Sequence, residues 1–106
     1  MRTLTWFMPV PPLGASGRET YRMDGDYTPV RAWAHFDVAP TVGEIIFTIL
    51  ADGVGIFTYP LRAQDETDVE EDNFADVQIS KDTLISLEII QQGGNGSGVT
   101  VGLDLE

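Results

Sequence analysis

Over its last eight residues the chain alternates without a break: Val99, Val101, Leu103 and Leu105 are apolar, and Thr100, Gly102, Asp104 and Glu106 between them are small or polar. Alternate residues point to opposite sides only in an extended strand, so this segment is a strand with one face in a core. The same period recurs upstream. Val30, Ala32, Ala34, Phe36 and Val38 fall on one face, and Arg31, Trp33, His35 and Asp37 on the other. Ile85, Leu87 and Ile89 alternate with Ser86, Glu88 and Ile90. The run from Glu44 to Leu50 is β-branched and apolar on both faces, as a central strand of a sandwich requires. No stretch carries the 3.6-residue period of an amphipathic helix.

Turn chemistry separates these strands. Asp52 and Gly53 both tolerate positive φ, and they predict a tight hairpin with Val54 to Tyr59 running back. Residues 39–43 (Ala-Pro-Thr-Val-Gly), 80–83 (Ser-Lys-Asp-Thr) and the glycine-rich stretch 92–98 read as turn or loop. Pro60 to Asp76 concentrates acid and is expected as a long connection between two sheets, holding at most one helical turn. Together these features predict an all-β protein: a single jelly-roll-like antiparallel β-sandwich with an extended N-terminal arm. Residues 1–26 read as the arm and an edge strand, and residues 27–106 as the sandwich core. At 106 residues there is room for one core and no second domain.

The arm carries Leu4, Trp6 and Phe7 ahead of a proline-rich stretch, Pro9 to Pro12, and Leu13. Exposed apolar arms are costly unless docked, so its aromatics need either the domain's own core or a neighbouring subunit. It is too short for a signal-peptide core, and no apolar run approaches the ~20 residues of a membrane-spanning helix. The chain is therefore expected to be made and to stay in the cytoplasm unless something carries it out.

Six basic residues against seventeen acidic ones give a net charge of −11. Such a chain is repelled by phosphate backbones and anionic lipid, which argues against nucleic acid and membrane as partners. Chemistry is equally sparse. There is no cysteine and only one histidine, His35, with no nucleophile motif near it, so catalysis is not expected. The acids between Asp65 and Asp76 lack the order and the turn glycine of a Ca²⁺ loop, and the glycines at 93–98 precede a strand rather than a helix, so no metal, phosphate or other cofactor is expected. Trp33 beside Arg31 on a polar strand face admits three readings: a subunit interface, a sugar-stacking platform, or the domain's own core.

The second half has a recognisable shape. The turn at Pro40-Thr41-Val42-Gly43, the core Ile45 to Ile49, the turn Asp52-Gly53 with Ile56-Phe57, then Lys81 to Leu84, Leu87-Glu88-Ile89, Gln91, Gly94, Gly98 and the closing Val101 to Leu105 resemble a module of tailed-bacteriophage virion proteins. Such jelly-roll-like modules occur in head decoration (cement) proteins, head fibres and tail appendages, often as trimers. The resemblance covers residues 30–106. Gly55 stands where a small polar residue is expected, and Lys81 where glycine is common. The resemblance implies a virion protein on the capsid surface, assembled in the host cytoplasm, that forms a homotrimer and binds the major capsid protein. The alternative is a head-fibre or tail-appendage module that binds carbohydrate or a receptor. Trp6, Phe7, Pro9, Leu13, Arg31, Trp33 and His35 are the candidate interface residues. Removing residues 1–13 is then expected to abolish capsid retention and leave the β core folded.

Overall fold

A computed structural model describes residues 2–9, 19–75, 78–91 and 95–106, and these form nine strands and no helix. The strands are β1 (Arg2–Met8), β2 (Tyr21–Arg22), β3 (Pro29–Val38), β4 (Ile45–Ala51), β5 (Val54–Gly55), β6 (Leu61–Ala63), β7 (Asp68–Glu71), β8 (Leu84–Gln91) and β9 (Ser97–Leu105). The first sheet has the order β1-β9-β3-β7. The second runs β2-β8-β4, with β5 and β6 both on the far side of β4. Antiparallel pairing is nested: β1 with β9, β2 with β8, β3 with β7 and β4 with β6. The chain is thus one long hairpin, doubled about β5 and rolled so that β3 meets β9 and β4 meets β8. That is a jelly roll.

Alternation does the folding work. Val99, Val101, Leu103 and Leu105 from β9, Ala32, Ala34 and Phe36 from β3, and Ile85, Leu87 and Ile89 from β8 all point between the sheets. Phe36 and Phe47 are fully buried, each worth roughly 1.5–3 kcal/mol of burial. In β4 the five residues Ile45 to Ile49 are buried on both faces, as its central place demands. Asp52 (φ 50°) and Gly53 (φ 85°) form the two-residue hairpin turn that joins β4 to β5.

The structure corrects three sequence expectations. First, the return strand after Asp52-Gly53 is broken: β5 is two residues long, and β6 resumes the pairing with β4 after an irregular stretch. Within that stretch Phe57 bridges Phe74, their rings stacked at 5.5 Å. Second, the described residues of the acidic segment, 60–75, hold no helical turn. The segment supplies β6 and then β7, which pairs with β3 as an edge strand, burying Val69 and turning Asp68 and Glu70 to solvent. Third, Val30 does not share the inward face of β3. Pro29 lies opposite Leu105 and Arg31 opposite Asp104, so Val30 is the extra residue of a bulge and faces out, while Pro29 is buried.

The N-terminal segment is an edge strand that the core needs. β1 pairs with β9 along its whole length, from Arg2 opposite Leu105 to Met8 opposite Val99, and its Leu4, Trp6 and Met8 are core residues. The Arg2 guanidinium contacts Asp24 at 2.8 Å and lies over the Tyr27 ring, tying the start of β1 to the β2–β3 connection. A segment so placed cannot be cut away and leave the core as it was. Residues 10–18, with Leu13 and most of the proline-rich stretch, lie outside the described residues.

Candidate interaction surface

The outward face of the first sheet gathers the candidate residues into register. Three cross-strand rows run over it. Thr3, Asp104 and Arg31 form the first; Thr5, Gly102, Trp33 and Glu70 the second; Phe7, Thr100, His35 and Asp68 the third. Each row is set by backbone pairing, so residues nearly one hundred positions apart become neighbours.

Asp104 organises the first row. It is largely buried, although its alternating neighbours predicted an exposed side chain. Its Oδ1 accepts from the Thr3 hydroxyl at 2.8 Å and, more weakly, from Trp33 Nε1–H at 3.5 Å. Its Oδ2 accepts from Arg31 Nε and Nη2 at 3.3 and 3.2 Å. One carboxylate therefore joins β1, β9 and β3, and such charge-assisted bonds outweigh neutral ones. Arg31 also reaches Glu70 on β7 at 3.1 Å, so the network crosses all four strands. Beside it, Val30, Arg31, Glu70, Glu71 and Asp72 line a shallow open cleft of about 480 Å³.

In the second row the Trp33 ring lies over Gly102. A Cβ there would collide with Trp33 Cε2 and Cζ2, so the glycine is what lets the indole lie down on the sheet. Trp33 is half-buried by this packing and remains partly accessible. In the third row His35 Nδ1 lies 2.9 Å from Asp68, and its Nε2 lies 3.7 Å from Asp37. The His35 contact, with help from the Thr67 hydroxyl, holds the Asp68 carboxyl below its ordinary pKa. A lowered carboxylate stabilises the fold above its unfolded pKa of about 3.9, and that stabilisation is lost as pH falls through the lower folded value. Asp68→Asn is therefore expected to flatten the loss of stability between pH 5 and about pH 3, read from urea melts at each pH; an unchanged slope would show the contact contributes nothing.

Not every candidate sits on this face. Phe7, Arg31, Trp33 and His35 do. Trp6, the neighbour of Phe7, points the other way and is buried in the domain's own core, where its Nε1–H donates to the Glu19 carbonyl at 2.8 Å and its ring meets Tyr21 edge-on at 5.4 Å. Its indole is thereby withdrawn from contact with a neighbour. Pro9 is exposed at the end of β1, and its carbonyl accepts from Gly98 N–H at 2.9 Å. Leu13 lies outside the described residues. Phe7 is a large aromatic that is 62% exposed.

No protein-family model matches this chain, and no curated protein sequence matches it.

Among the described residues, no group of three or more His, Asp or Glu side chains is arranged to hold a metal ion. What the face offers is an aromatic pair, Phe7 and Trp33, on a rigid sheet, with His35 and Arg31 beside them and carboxylates along the β7 margin. Sequence reading found Arg31, Trp33 and His35 from the polar side of one strand and Phe7 from the apolar N-terminal arm. It missed Asp104, Gly102, Asp68 and Glu70, whose importance lies in which strand each one faces.

Proposed function

We propose that this protein is a bacteriophage capsid decoration (cement) protein that oligomerises, as a trimer, and stabilises the head by binding the major capsid protein. The observation that carries this reading is the outward face of the β1-β9-β3-β7 sheet, which presents an exposed Phe7 and a half-buried, partly accessible Trp33. Aromatic anchors on a rigid, pre-formed surface supply much of the energy of a protein–protein contact. A short jelly roll with the sequence resemblance described above is the form such a module takes. The acidic margin along β7 keeps the free protein soluble and complements basic patches on a shell.

The test is the copy number per virion, measured by quantitative mass spectrometry against the major capsid protein. Hundreds of copies are expected, whereas a few to a few tens would move the protein to a fibre or tail. Phe7→Ala and Trp33→Ala are each expected to cost about 2 kcal/mol of binding, a roughly thirty-fold loss of affinity, and to deplete the protein from washed particles. Retention at the wild-type level by both variants would reject this face.

A second reading has one observation in its favour. An indole held flat over Gly102 is a surface on which a pyranose could stack, as in a carbohydrate-binding module of a head fibre or tail appendage. Saturable quenching of tryptophan fluorescence by glycans, lost in Trp33→Ala with assembly intact, would favour it over the cement role.

A further inference from the structure

The second sheet also turns a face to solvent, and head binding through the first sheet leaves it unused. Pairing fixes its members. Arg22 lies opposite Leu84, Leu50 opposite both Ser86 and Gly55, Thr48 opposite Glu88, and Ile46 opposite Arg62. Their neighbours Ile45, Phe47, Ile49, Ile85, Leu87 and Ile89 point into the core, so these lie on the outer side, where Ile46 and Thr48 are nevertheless buried and Arg22, Gly55 and Arg62 are exposed. Leu84 is 40% exposed and Ile90, at the irregular end of β8, is 50% exposed, with Leu50 half-buried between them.

Charge distinguishes this face from the outward face of the first sheet. Its strands present one carboxylate, Glu88, against two guanidinium groups, Arg22 and Arg62. Glu44 at the margin is paired with Arg62 at 2.8 Å, and Asp52 at the hairpin tip accepts the Leu84 N–H at 2.9 Å. The outward face of the first sheet instead carries Asp37, Asp68, Glu70 and Asp104 against Arg31 and His35. For a chain of net charge −11, that difference selects partners. A basic partner gains by meeting the acidic side. A second copy of the chain is repelled there and meets no such penalty where charge is balanced and the surface aliphatic.

We propose that the outward face of the second sheet is where copies of this chain meet. The inference deepens the oligomer named above and rests on that part of the reading alone, independent of which shell protein is bound. Strands of seven and eight residues, at ~3.3 Å per residue and ~4.8 Å spacing, offer on the order of 240 Å² per copy. That is well below the ~800 Å² per partner of a standard interface, so the association is weak unless flanking loops add to it.

Sedimentation velocity on the purified chain from about 1 to about 200 µM tests this. The wild-type protein is expected to shift from monomer to a multiple of its mass. Added salt should strengthen the association, because screening relieves the repulsion between acidic copies. The double variant Leu84→Glu/Ile90→Glu is expected to stay monomeric with an unchanged circular dichroism spectrum, whereas Phe7→Glu associates as the wild type does. A wild-type chain that is monomeric throughout, a double variant that still associates, or loss of association in Phe7→Glu overturns the proposal. Because the chain has no cysteine, single thiols give a second readout that does not depend on the double variant folding. A short bismaleimide should join copies of Ser86→Cys and leave Thr100→Cys, on the opposite sheet, uncoupled; the reverse pattern, or no coupling at either site, overturns it. Since only the purified chain is used, failure here leaves the head-binding reading to be decided by copy number.

Discussion

Deleting residues 1–8 is expected to unfold the domain. β1 contributes Leu4, Trp6 and Met8 to the core and completes the backbone pairing of β9 over seven residues. Truncating a buried Leu or Met to Ala costs about 2–5 kcal/mol, and a Trp about 3–5. The three together are on the order of 10 kcal/mol, which is comparable to the whole stability of a typical domain, about 5–15 kcal/mol. The Trp6 bond to the Glu19 carbonyl and the Arg2–Asp24 pair are lost as well. The expected result is a circular dichroism spectrum without strand signal and no cooperative urea transition at 25 °C. A truncated chain that still unfolds cooperatively with the wild-type m-value would show that β1 is dispensable. Terminal deletion is therefore a poor test of capsid binding, since it removes the fold along with the contact. Phe7→Ala separates the two: the side chain is exposed, and its loss should change stability by no more than about 0.5 kcal/mol.

Gly102→Ala is expected to destabilise the protein and to disturb the candidate surface in the same step. The added methyl group occupies space now taken by the Trp33 indole, on a strand held from both sides by β1 and β3. Either the ring lifts away or the backbone shifts. Overpacking of this kind costs about 1–3 kcal/mol, a fall in Tm on the order of 5–15 °C for a domain of this size. The indole is half-buried over Gly102, so lifting it into water shows as a red shift in tryptophan emission, against the constant background of buried Trp6. Trp33→Ala in the same chain should recover part of the loss, because the collision is then gone. If the two substitutions simply add, ring and glycine are not in conflict and the described packing is incorrect.

Much of the architecture was legible because burial in a sandwich imposes a period of two. The last strand, the strand through Ala32, Ala34 and Phe36, the twice-buried strand at Ile45 and the Asp52-Gly53 turn all carried local signals strong enough to stand alone. β7 did not. An edge strand exposes one face and one rim, and here Asp68, Glu70 and Glu71 discourage edge-to-edge pairing with other chains while leaving Val69 as the only core contact. In sequence that looks like a solvated connection. The bulge at Val30 was invisible for another reason: a register shift belongs to a pair of strands, and neither strand encodes it alone. The candidate surface divides along the same line. Arg31, Trp33 and His35 announce a shared face by spacing, but Phe7 joins them only through β9, and Asp104 becomes largely buried only because Thr3 and Arg31 flank it.

The nested strand order also bears on how the chain reaches its native state. Among the described strands, β4 and β5 are the one pair closed by a two-residue turn; β4–β6, β3–β7, β2–β8 and β1–β9 each enclose all those inside them. Loop closure becomes costlier with each layer, and topologies dominated by distant pairings fold on the order of milliseconds to seconds. Assembly from the Asp52-Gly53 turn outward leaves β1 to dock last. Until it does, the edge of β9 is open, and the strand best matched to it in a crowded solution is β1 of another copy.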